Sequence, residues 1–299
     1  MSQPARRSLD LPGFWLMFGL AMLFGANNVL IKLGNDGLQP VFFAGARSAV
    51  AAVAVGCWMA WRGISVRFDL WRPGLLIGFL FALEFFLLFV ALDLTNVIRA
   101  SSIFYAMPIW LSLAAHFLFP GERLTPVRFL GFLMGFAGVV LTFSGRADVA
   151  EAGNIWGDLA ALIAGMAWAG IVVVSRKTQL GTTKAETQLF WQLAVSAVLL
   201  LAAAPLYGGA LIREFNGFQL AMFLIQALGV AATGFLLWFW LLGKYQASTL
   251  ASFSFLTPVL SALLGWAILG EPINWATPYA LALLVVGLVL INRRPKLPT

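Results

Sequence analysis

One carboxylate interrupts an apolar run. Glu84 sits in FLFALEFFLL (Phe79–Leu88) with no acid or base near it in sequence. A charge at the centre of a bilayer costs at least about 2.5 kcal/mol, so such a group faces inward and is paired or protonated. There it binds a ligand ammonium or carries a proton; the other reading is a neutral Glu hydrogen-bonded between helices. Two hydroxyl-and-proline phrases are its natural companions. In SSIFYAMPIW (Ser101–Trp110) and its continuation, Ser101, Tyr105, Pro108, Ser112 and His116 fall within about 80° on a helical wheel. In ASFSFLTPVL (Ala251–Leu260) and its continuation, Ser254, Thr257, Pro258, Ser261 and Gly265 share a face about 100° wide. Pro108 leaves the Phe104 carbonyl without its helical donor, and Pro258 does the same to Ser254. A freed carbonyl in hydrocarbon needs a protein partner or water. Both stripes therefore read as walls of one wet cavity, or else as kinked helices whose hydroxyls bond their own backbone.

Other polar stripes accompany them. Gln226, Thr233 and Trp240 share a face of one later segment, and Gln188, Trp191, Gln192 and Ser196 a face of another. Asn27, Asn28 and Trp168 lie inside further apolar runs. Aromatic rings such as Trp168 and Trp240 suit flat solutes and amines, whereas amide side chains also serve as glue between helices. Lys32 and Arg47 flank the first turn and read as snorkelling to the interface, or as partners for a carboxylate at a cavity mouth. Asp158 complements a helix N-terminus, and Arg99 reads as an interfacial anchor.

Several chemistries are excluded by what is missing. His116 is the only histidine and Cys57 the only cysteine. There is no HExxH and no Cys/His cluster to hold a metal, no intrachain disulfide, and no GxxxxGK[ST] for nucleotide hydrolysis. No cofactor and no enzymatic activity are expected. An intramembrane serine protease would have to pair Ser112 with His116. His116 itself reads as a packed or interfacial residue.

The elements that must position these groups are membrane spans. Of 299 residues, 61% are hydrophobic and 10% charged, and mean hydropathy is +0.91; soluble domains are nearer half apolar and a quarter charged. Runs of about 20 apolar residues fall at 13–33, 40–61, 73–92, 98–119, 126–145, 155–175, 187–206, 217–240, 247–269 and 275–292. Tryptophans such as Trp15, Trp61 and Trp275 mark span ends. Alternating the connections places 14 Lys and Arg on one side and 4 on the other, with Arg47 inside a span. The basic side is cytoplasmic, so both termini are expected there, in a bacterial inner (plasma) membrane. The net charge of +7 thus reads as membrane orientation, not nucleic-acid binding.

The chain also repeats itself. Shifted by 150 residues, FFLLFVALDLTNVIRASSIFYAMP (Phe85–Pro108) overlies FLLWFWLLGKYQASTLASFSFLTP (Phe235–Pro258) without a gap. Gly121–Glu122 then matches Gly270–Glu271, and GVVL (Gly138–Leu141) matches GLVL (Gly287–Leu290). The expected organisation is an all-α polytopic protein of ten transmembrane helices in two five-helix halves, 13–145 and 155–292. Residues 1–12 and 293–299 form tails, and 146–154 a linker. Five spans being odd, the halves are inverted, as in transporters whose substrate site lies between the repeats.

FGANNVLIKLG (Phe24–Gly34), the FFLLFVAL run with its downstream proline, the two Gly–Glu pairs and the glycine-rich fifth and tenth segments resemble the drug/metabolite transporter superfamily, EamA branch. Aromatic richness and length look most like its YddG-type aromatic amino-acid exporters. The resemblance implies alternating access and export of small metabolites, with a small-molecule substrate and the bilayer as partners. A receptor or assembly subunit that does not transport is the alternative. The oligomeric state stays open.

Overall fold

The computed structural model describes residues 10–119, 125–144, 154–245, 253 and 256–292. Among them the long elements are all helical and no β-strand occurs. The long helices are α1 (Leu11–Gly37), α2 (Pro40–Trp61), α3 (Trp71–Leu94), α4 in two pieces (Val97–Phe104 and Met107–Leu118) and α5 (Pro126–Ser144). Then come α6 (Ile155–Lys177), α7 (Ala185–Tyr207), α8 in three pieces (Gly217–Leu224, Ile225–Gly234 and Phe235–Lys244), α9 (Leu256–Leu269) and α10 (Ala276–Asn292). Seven of them are long and apolar enough to cross a membrane; the described parts of α5, α9 and α10 are shorter apolar helices.

Helix starts follow local chemistry. Asp10, Asn96, Asn154 and Asn216 each accept a hydrogen bond from the backbone N–H two or three residues on, at 2.8–3.0 Å, satisfying donors that have no intrahelical acceptor. Asp10 also accepts from the hydroxyl of Tyr245 at 2.6 Å, tying the start of α1 to the end of α8. That bond, with the one from Gly13, holds the Asp10 carboxyl below its ordinary range.

Helix partners recur when the halves are exchanged. α2 packs on α7 and α5 on α10; α1 packs on α9 and α6 on α4; α3 packs on α7 and α2 on α8. The α5–α10 seam is the closest. A Cβ on Gly131 would stand 2.7 Å from the carbonyl oxygen of Gly287, and one on Gly138 2.8 Å from that of Ala280. The glycine stripe of the fifth segment is thus the seat for α10.

Two helices depart from a regular wheel. α4 breaks at Tyr105–Ala106, and Pro108 occupies the first turn of its second piece, where a missing N–H costs nothing. Gly165 of α6 lies against the freed Phe104 carbonyl: a Cβ there would be 2.9 Å from the oxygen. In α8, Ile225–Gly234 is π-helical. Its i→i+5 bonding turns through a smaller angle per residue than an α-helix.

Connections gather at two ends. The α1–α2 turn meets the α7–α8 loop through a Leu38–Ile212 bridge, and Gln39 donates to the Ala204 carbonyl at 2.7 Å. Arg213 pairs with Asp93 there at 2.9 Å. We call this the α1–α2 end, and the opposite one the α2–α3 end.

Candidate functional site

A cavity of about 320 Å³ lies inside the bundle, at the small end of the ~300–1,000 Å³ typical of ligand pockets. Its walls come from both halves of the chain. Glu84, Phe81, Phe85 and Leu88 come from α3, Phe24 and Asn27 from α1, and Phe104 and Tyr105 from the α4 break. Trp168, Ile171 and Ser175 come from α6, Gln188 and Gln192 from α7, Val230, Phe235 and Trp238 from α8, and Thr257 from α9. Trp168 stacks on Phe104 with centroids 5.2 Å apart, and Phe24 meets Phe235 at 5.4 Å. The walls are therefore rings with one carboxylate among them. Glu84 is 4% exposed, and its Oε2 has no hydrogen-bond partner. Asn27 Oδ1 is likewise buried and unpartnered.

The cavity reaches Arg176 and Gln188, toward the α2–α3 end. Toward the α1–α2 end it meets a layer of polar ties, some within the first half and some between the halves. The Asn28 amide donates to Ser101 Oγ at 2.8 Å, and Ser101 Oγ is 2.6 Å from Ser261 Oγ. Gln226 donates to the Asn27 carbonyl at 2.9 Å and accepts from Arg47 at 3.2 Å. Tyr105 donates to the Phe24 carbonyl at 2.9 Å.

Beyond that layer lie charged ties. Lys32 donates to the carbonyls of Leu92 and Thr95 at 3.0 and 2.7 Å, closing the end of α3. Arg99 and Asp158, 5% and 0% exposed, form an ion pair joining α4 to α6. Arg99 is thus not the interfacial anchor that its position near a span end suggests, whereas Asp158 does sit in the first turn of α6. Glu271 accepts from the N–H groups of Val97 and Ile98 at 2.6 and 2.9 Å, so the second Gly–Glu pair caps α4 from the other half. Burial pushes this loop carboxyl up. Glu271→Ala should lower stability by about 0.5–2 kcal/mol, the worth of an N-terminal cap, read as a fall in Tm of the purified protein. No loss would mean that water replaces the carboxylate.

The expected site residues thus divide. Glu84, Tyr105 and Trp168 line the cavity. Ser101, Ser261 and Gln226, each 0% exposed, lie in the polar layer behind it, and Pro258 is buried in α9. Pro108 and Ser112 are half-buried on the second piece of α4, away from the cavity lining, because the break ends the continuous stripe. Thr233 and Trp240 are corrected: both are exposed, Trp240 by 50%. The π-helical turns separate them from Gln226, which a uniform 100° wheel places on the same face. Ser254 and Gly121–Glu122 lie outside the described residues. The snorkelling reading of Arg47 is also corrected. Arg47 is 0% exposed, with its guanidinium 4.1 Å from the Phe85 centroid and 5.0 Å from that of Phe89. Nothing in the sequence singles out the lining rings Phe81, Phe85 and Phe235, since Phe is abundant throughout it. No metal-binding cluster of His, Cys, Asp or Glu occurs among the described residues.

The model of the EamA-like transporter family matches twice, over residues 11–144 and 155–293. The chain belongs to the EamA-like transporter family. Within it, the chain is 30% identical to "Uncharacterized protein PA1977" of Pseudomonas aeruginosa, covering 96% of this chain and 95% of that one. It is 24% identical to "Uncharacterized transporter YoaV" of Bacillus subtilis, over 86% and 89%, and 26% identical to "Uncharacterized inner membrane transporter YedA" of Escherichia coli, over 94% and 91%. A solved crystal structure aligns with a TM-score of 0.65 at 25% identity, covering 94% of this chain and 98% of that chain. This EamA-like chain is therefore a multi-pass membrane protein of a transporter family.

Proposed function

We propose that the chain is a secondary transporter that exports small amphipathic metabolites bearing an amino group, amino acids in the first place, by alternating access between two inverted five-helix halves. The observation that carries this is the cavity between the halves, ring-lined and holding one buried carboxylate with an unpartnered oxygen. An ammonium among aromatic faces gains cation–π attraction and donates a charge-assisted hydrogen bond to Glu84. Aromatic amino acids offer both the amine and the ring. The twofold family match and the exchange of helix partners support the two-half reading. The halves carry their basic residues mainly at the α2–α3 end, toward which the cavity reaches. By the positive-inside rule that end is cytoplasmic, as are both termini, and this conformation faces inward. The polar and charged ties at the α1–α2 end are then the closed outer gate.

Counterflow in proteoliposomes against a panel of amino acids, with and without a proton gradient, tests the reading. Glu84→Gln should lower the rate about 10–100-fold, the equivalent of one charge-assisted hydrogen bond. An unchanged rate with an unchanged pH response would remove Glu84 from both ammonium binding and proton carriage. If no member of the panel exchanges, the amino-acid reading itself fails.

A further inference from the structure

Arg47 is the one charged group among the described residues with two buried polar atoms that lack a partner. Its Nη1 donates to Gln226 at 3.2 Å, while Nε and Nη2 are buried without a partner. Those two atoms form one edge of the planar guanidinium, the edge that fits a carboxylate in a bidentate fork. The same chain uses that edge elsewhere. Arg67 gives Nε and Nη2 to the two oxygens of Asp69 at 2.8 and 2.7 Å, and Arg99 gives the same pair to Asp158. The Arg47 guanidinium carbon lies 4.1 Å from the centroid of Phe85, a ring that lines the cavity with Glu84. Leaving buried donors unpaired costs their full desolvation, so a site that retains them supplies an acceptor at some stage of its cycle.

Glu84 is the mirror case, with a buried acceptor oxygen that lacks a donor and Asn27 Oδ1 unpartnered on the same cavity wall. The two side chains make no direct ion pair, and the Phe85 ring against the Arg47 guanidinium lines the cavity beside Glu84. Together they amount to a split pair of zero net charge. A ligand carrying only an ammonium would neutralise Glu84 and strand the guanidinium. A ligand carrying only a carboxylate would do the reverse. A zwitterion supplies both partners and leaves the buried site neutral.

We propose that Arg47 is the carboxylate-recognising residue of this transporter, opposite Glu84 and screened by Phe85, so that the cavity selects zwitterionic α-amino acids over their one-charge analogues. This rests on the transport reading above and adds to it the charge class of the substrate. Phe85 is the movable screen: turning its ring exposes the Nε–Nη2 edge to the cavity.

The test uses the full-length protein in proteoliposomes with three probes of one ring size, L-phenylalanine, phenylethylamine and 3-phenylpropionate. Wild type should exchange phenylalanine about tenfold or more faster than either analogue. Arg47→Gln should lower phenylalanine exchange about tenfold or more while phenylethylamine exchange holds or rises. Arg47→Lys, which keeps the charge and loses the fork, should fall between. A parallel fall for both substrates, or an unchanged ratio, overturns the proposal and leaves Arg47 a structural residue. Should the variants not fold, ligand-induced stabilisation of the wild-type protein decides: phenylalanine must raise Tm more than either analogue. Equal transport of phenylalanine and phenylethylamine by wild type refutes zwitterion selection but keeps the amino-group reading. Exchange of none of the three defeats both.

Discussion

Arg99→Met should cost about 3–5 kcal/mol of stability, the penalty for stranding one partner of a buried ion pair. Asp158 is 0% exposed and Arg99 5%, so water cannot take over for the partner that remains. Asp158 accepts from the guanidinium through both oxygens and from Thr95 Oγ1 at 3.2 Å. Removing Arg99 leaves the carboxylate with weaker donors in a dry joint. Asp158→Leu should cost as much by leaving the guanidinium unpaired. The double variant Arg99→Met/Asp158→Leu should recover most of the loss, because well-packed apolar replacements of buried pairs are often near neutral. The measurement is a double-mutant cycle on equilibrium unfolding in detergent. Single-variant costs below about 1 kcal/mol would show the pair to be solvated. A double variant as unstable as the two losses combined would show that the two groups do not act on each other. In the inward-facing reading this pair joins the halves at the closed gate. The double variant should therefore also shift the balance toward the outward-facing form.

Gly287→Leu should abolish accumulation of folded protein. A Cβ at that position would lie 2.6 Å from the Gly135 nitrogen and 2.7 Å from the Gly131 oxygen. Both are backbone atoms, so no rotamer change relieves the clash and α5 and α10 must separate. Gly287→Ala, with the one carbon alone, should fold with a loss of about 1–3 kcal/mol, the usual cost of overpacking. Gly19 has open space around its Cβ position, and Gly19→Ala is the control, expected to accumulate as wild type does. The check is the monodisperse fraction after extraction, together with Tm. If Gly287→Leu purified with the yield and Tm of Gly19→Ala, the backbone-to-backbone seam would be wrong.

The apolar runs were legible in the sequence because a bilayer forces every spanning segment to satisfy its own backbone and to be apolar for about 20 residues. Span ends at 40–61 and 155–175 fall within two residues of Pro40–Trp61 and Ile155–Lys177. Glu84 was legible because a lone carboxylate among phenylalanines has no cheap position except one facing inward. What failed was phase. A uniform 100° per residue puts Thr233 and Trp240 on the face of Gln226, and no composition signal in IQALGVAATG announces the wide turns of Ile225–Gly234. Pro108 marked a break, but the sequence alone does not say that Tyr105 stays at the cavity while Ser112 leaves it. Arg47 failed for a different reason. Gln226 lies 179 residues away in sequence, and the Phe85 ring belongs to another helix, so nothing within its own span reveals the inward environment. Glu271 was visible only as half of a recurring pair, since the N–H groups it accepts from lie 174 and 173 residues away.

The π-helical stretch of α8 has a structural corollary. Ile225–Gly234 holds more residues per turn than the α-helical pieces on either side, so α8 carries a surplus in its ladder. Losing one residue there would let the ladder tighten to i→i+4, and the larger angle turned by each remaining residue would offset the missing one, so Phe235 and Trp238 would keep their places on the cavity. A regular α-helix would instead pass the whole phase error, roughly 100°, to everything beyond the deletion. The stretch is thus a reserve of slack, and α8 can absorb the loss of a residue that would scramble any straight wall of the chamber.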